Sequence, residues 1–67
     1  MVWNVITREL ERVTGAANFA SWNSVCIAGV AIELDDWEAA LCTLRRFPRG
    51  HGRTREGAAE IVRALES

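Results

Sequence analysis

The sequence predicts an all-α fold, a compact three- or four-helix domain. Three observations carry that expectation. Apolar residues recur at alternating steps of three and four near the N-terminus, and a strong helix-start signal stands at Asp35. The segment that most resembles a strand, residues 25–32, has no second strand to pair with.

Trp3, Ile6, Leu10, Val13 and Ala17 form one apolar stripe, with Arg8, Glu9, Glu11 and Arg12 between them. This is an amphipathic helix over about residues 3–14. The opposite charges of Glu9–Arg12 and Arg8–Glu11 lie one turn apart and support it weakly. Thr14-Gly15 is a natural stop.

Residues 18–34 admit two readings. Asn18 or Ser21 would cap a helix near 19–33 with Phe19, Trp22, Val25, Cys26, Gly29 and Ile32 along one face. Ile27, Val30 and Leu34 make the opposite face apolar as well. The β-branched run Val25 to Ile32 also fits a buried strand, which would make the fold α+β. Helix is favoured, because a helix apolar all round matches the composition and must be enclosed on every side. Gly29 then stands mid-helix at a cost of about 1 kcal/mol against alanine. A close helix–helix contact is the expected reason.

Asp35 is the expected N-cap of the next helix, with Glu38 reaching back in a capping box and Leu34 and Ala39 as a weak hydrophobic staple. Trp37, Ala40, Leu41, Leu44 and Phe47 share a face, Arg45 and Arg46 complement the C-terminal end, and Pro48 prevents continuation. The helix is expected over about 36–47. Pro48 to Arg53 reads as a mobile loop with His51 solvated between two glycines. Thr54 would cap a last helix, 55–66, with Ala58, Ile61, Val62 and Leu65 inward, and Gly57 weakening its first turn.

Length and composition bound the function. The 67 residues read as a single helical domain, 1–67, with a net charge of −1. Hydrophobic residues are 49% of the chain before its five glycines are counted, which is more than so small a domain hides easily, although ten are alanines. Part of that surface is therefore expected to be covered by another chain, a second copy (a homodimer or other homo-oligomer) or a different protein.

The opening residues lack a basic segment followed by an apolar core, and Val25–Ile32 is too short to span a bilayer. The expectation is a cytoplasmic protein with no membrane partner. Cys26 and Cys42 fit no metal-ligand spacing and read as buried, reduced thiols. One histidine completes no zinc set, and no Gly-rich phosphate loop follows a strand, so no metal, no cofactor and no catalytic residue is expected. Asp35, Asp36 and Glu38 are explained by capping.

Two groups of residues remain as candidate sites. Arg45, Arg46, Arg49, Arg53 and Arg55 form a patch suited to anions, whether an acidic protein surface or a nucleic-acid backbone. Every cation in the chain is arginine, a bias that a GC-rich bacterial or phage genome also produces. The acidic run Glu33–Glu38 is expected to offset the patch, and a domain built for DNA would be basic overall. Trp3, Trp22 and Trp37 pack in the core by default, yet a core this small does not easily enclose three indoles, so at least one is expected at an interface. The function expected is a small non-enzymatic protein–protein interaction module or regulator acting through an apolar helical surface. The alternative is a nucleic-acid-binding regulator using the arginine segment 45–55.

Overall fold

The computed structural model describes residues 2–15 and 22–67, apart from the side chains of Val2 and Trp3. The stripe position Ala17, the caps Asn18 and Ser21, Phe19 and the Trp3 indole therefore lie outside the described residues. Four α-helices follow one another: α1 (Val2–Thr14), α2 (Trp22–Glu33), α3 (Trp37–Arg45) and α4 (Arg55–Glu66), with a 3-10 turn at His51–Arg53. Among the described residues all regular structure is helical, and residues 25–32 belong to α2. No helix among them is long and apolar enough to cross a membrane.

The stripe of α1 is inward: Ile6, Leu10 and Val13 are fully buried. They meet Ile27 and Ala28 of α2, Ala40 and Leu44 of α3, and Ala58, Ile61 and Leu65 of α4 in one core. Trp37, Leu41 and Phe47 are half-buried against it. Gly15 closes α1 in a left-handed conformation, φ 67°, its N–H donating to the Glu11 carbonyl at 2.8 Å.

Arg12 joins three segments. Its guanidinium bonds Glu9 at 2.9 Å and donates to the Leu44 carbonyl at 3.0 Å, which also accepts the Phe47 N–H at 3.2 Å at the end of α3. Its own carbonyl accepts the Gly50 N–H at 3.0 Å.

The start of α3 differs from the expected one by a residue. Asp36, not Asp35, is the N-cap, its Oδ1 accepting from the Ala39 N–H at 3.1 Å. Glu38 consequently stands one position short of a capping box. Two adjacent aspartates are equally good caps locally. Leu34 decides between them: it closes the end of α2, its N–H donating to the Ala31 carbonyl at 3.3 Å, and packs on the core, leaving two residues for the turn.

The segment before α4, expected as a loop, packs into the fold through a 3-10 turn. Gly50 takes φ 81° and Gly52 is buried. A Cβ at Gly52 would stand 3.1 Å from Ile61 Cδ1, 3.3 Å from the Val13 carbonyl and 3.4 Å from Ile27 Cδ1, so three helices converge on it. His51 is half-buried, with Nε2 3.0 Å from Glu60 Oε2 and its ring 5.0 Å from that of Phe47. Thr54 caps α4 as expected, accepting from the Gly57 N–H at 3.0 Å.

Gly29 is not at a helix contact. It is exposed, and an added Cβ would meet nothing within 4 Å. With no tertiary cost to set against the helix propensity, Gly29→Ala is expected to stabilise the chain by about 1 kcal/mol in dilute solution. Urea denaturation followed by far-UV circular dichroism checks this, and a loss of stability would contradict the open surroundings of this position.

Candidate protein-binding face

Helix α2 carries apolar residues on two opposite sides. The inward side is Ser24, Ile27, Ala28 and Ala31, all buried. The serine is satisfied inside: its hydroxyl donates to Thr14 Oγ1 at 2.9 Å, and the Thr14 hydroxyl donates to the Leu10 carbonyl at 2.6 Å. This pair locks the start of α2 onto the end of α1, a tie the sequence pattern did not reveal because a serine in an apolar run looks neutral.

The outward side is Trp22, Val25, Cys26, Gly29 and Ile32, at the helical spacing 3, 1, 3, 3. Trp22 is 76% exposed, Val25 51% and Ile32 52%. The face the sequence predicted to be enclosed is therefore open to water. The core takes one side of α2, where Ile27 and Ala28 pack with residues of α1, α3 and α4, while Trp22, Val25 and Ile32 stay exposed.

Beside this stripe α2 and α4 diverge into a groove of about 400 Å³. Small residues of α4, Ala58 and Ala59, leave the space, with Val62, Trp22 and Cys26 supplying apolar walls. Arg55 and Arg63 line it as well. They stand with Ala59 in an i, i+4, i+8 ladder that places all three along one ridge of α4. Asn23 fixes one end, its Nδ2 donating to the Gly52 and Arg53 carbonyls, each at 3.1 Å.

The five arginines of 45–55 are not brought together as one patch. Arg45 and Arg46 stand at the C-terminal end of α3, Arg49 in the exposed turn, and Arg55 in the groove. Arg53 lays its aliphatic stem over Gly15 and Gly50, where a Cβ on either glycine would come within 3.2 Å of its Cδ. Arg63, absent from the sequence-predicted set, joins Arg55; the i+8 ladder was its only signal. Nor does the acidic run offset the remaining cations directly. Asp35 and Asp36 line a second hollow with Ala64 and Leu65, at the end of α3 opposite Arg45 and Arg46. The nine residues of α3 separate the two ends by about 13 Å, beyond the screening distance in physiological salt.

The three tryptophans are in three situations. Trp22 is outside, Trp37 is half-buried on the core, and the Trp3 indole is not among the described side chains. Cys26 and Cys42 are free but exposed, not buried. Each falls on the outward side of its helix: Ser24 and Ile27 flank the inward direction of α2, and Ala40 and Leu44 take that of α3.

No family model, curated protein or solved structure matches the chain. The geometry of this face therefore carries the functional argument alone. Among the described residues no three metal-ligating side chains cluster. The His51–Glu60 pair braces the 3-10 turn against α4.

Proposed function

We propose that this chain is a small, non-enzymatic protein–protein interaction module that works through the outer face of α2 and the adjoining groove. One observation carries the reading: Trp22, Val25 and Ile32 are each at least half exposed on a single face of a helix whose other face already fills the core. Isolated apolar residues on a surface mean little, but a contiguous stripe next to a groove is the form of an interface. An exposed indole at its edge is the side chain most often found at the energetic centre of such contacts. Arg55 and Arg63 beside it add donors that select a partner with carboxylates at its rim.

The separation of the acids from Arg45, Arg46 and Arg49 supports a second reading, a nucleic-acid-binding regulator contacting phosphates at that end. The two differ in salt dependence: phosphate contacts weaken steeply with salt, an apolar face hardly at all.

The experiment is photo-crosslinking from a benzophenone side chain placed at Val25, with Arg8 on the exposed side of α1 as control. The expected result is discrete protein adducts from position 25 and none from position 8, unchanged at high salt and abolished by Trp22→Asp. Absence of adducts at position 25, together with retention on DNA or RNA at low salt, would transfer the assignment to the second reading.

A further inference from the structure

Taking the α2 face as an interface, we infer that its occupant is a second copy of this chain, packed antiparallel along α2, with Glu33 of each copy seated between Arg55 and Arg63 of the other. Glu33 lies eleven residues after Trp22, three turns along the helix and so on the same outward face. The stripe thus runs from an indole at its N-terminal end, which shares its groove with Arg55 and Arg63, to a carboxylate at its C-terminal end. Among the described residues none of Arg55, Arg63 or Glu33 has an ion-pair partner within its own chain. A helix face with opposite charges at its two ends is complementary to itself when turned end for end, as a two-fold axis requires. A parallel arrangement would instead place Glu33 against Glu33.

The shape agrees with the charge. Setting Trp22 opposite Glu33 of the second copy fixes the register, and Cys26 then falls opposite Gly29. The two small residues stand at the waist of the pair, and the bulky Trp22 and Ile32 at its ends. Gly29 has no tertiary contact that calls for it, since an added Cβ meets nothing within 4 Å. Close approach of a second backbone gives it a purpose. A standard interface takes about 800 Å² from each partner, roughly a fifth of the 4430 Å² that the chain exposes. Trp22 at 76% exposure contributes about 150 Å² of that, and the symmetry counts every contact twice.

Sedimentation of the purified full chain, from sub-micromolar to near-millimolar concentration, tests the inference. The expected result is a reversible shift from the 7.4 kDa monomer to twice that mass. Glu33→Arg is expected to weaken the dimer on the order of tenfold, because the Glu33–Arg55 and Glu33–Arg63 pairs, each present twice by symmetry, become repulsive. Adding Arg55→Glu and Arg63→Glu to that variant restores it. All three positions are exposed, so the fold survives the substitutions. Gly29→Leu, harmless to the lone chain, should abolish pairing.

A monomer over the whole range overturns the inference, and so does a dimer indifferent to both Glu33→Arg and Gly29→Leu. If the chain is monomeric while position 25 still crosslinks to a different protein, only the self-pairing fails and the interaction reading stands. If both experiments are negative, the two fall together.

Discussion

Gly57→Ala is expected to destabilise the chain by about 2–4 kcal/mol, although alanine is the better helix former by about 1 kcal/mol. Gly57 is the third residue of α4, and an added Cβ would overlap the His51 carbonyl oxygen, with the carbonyl carbon only 2.9 Å away. The obstacle is backbone, which cannot rotate aside as a side chain does. Nor is that backbone free to retreat. The 3-10 turn is held by Gly50 on the Arg12 carbonyl, by Asn23 on the Gly52 and Arg53 carbonyls, and by Gly52 in the core. A chain of 67 residues has a total stability of roughly 3–10 kcal/mol, so the loss is a large fraction. Thermal melting followed by circular dichroism should show the midpoint fall by roughly 10–25 °C. With Gly29→Ala as its opposite, the pair tests placement against propensity: both put alanine for glycine in a helix, and only the surroundings give them opposite signs. Equal effects of the two would refute the packing of the 3-10 turn on α4.

Ile61→Ala is expected to cost about 3–5 kcal/mol. Ile61 is fully buried, and its Cδ1 reaches the point where Gly52, Val13 and Ile27 converge. Removing it empties the centre of the core, and collapse is hindered because the lining includes the main chain of α1 and of the loop. The same geometry predicts a coupling. Gly52→Ala alone introduces a methyl 3.1 Å from Ile61 Cδ1 and is destabilising. In the Ile61→Ala background that methyl enters vacated space, so its cost should shrink by about 1 kcal/mol. Denaturation of the two single variants and the double variant measures the cycle, and strict additivity would show that Gly52 and Ile61 do not meet.

Much of the helical framework was legible in the chain. Ile6, Leu10 and Val13 of the α1 stripe and the Thr54 cap are local signals that the structure uses as read, and α3 ends at Arg45, before Pro48. Local signals fail where two candidates are equivalent, as with Asp35 and Asp36, or where a residue answers to distant ones. Gly57 looked like a weakness and is a close contact; Gly29 looked like a contact and stands in the open. Ser24 and Asn23 hold α2 in place through bonds to Thr14, Gly52 and Arg53, between 10 and 30 residues away in sequence. The candidate site is half legible in the sequence: Trp22 and Arg55 stand out there, whereas Arg63 joins them only through the approach of α4 to α2.

By itself the sequence determined that this chain is helical, where three of its helices run, and that it holds more apolar surface than a small core needs, because periodicity, caps and composition are properties of neighbours along the chain. Which side of α2 is left to water was decided by tertiary packing alone. That helix is apolar all round, so no moment in its own residues points inward, and the choice falls to the elements that close over Ser24, Ile27, Ala28 and Ala31.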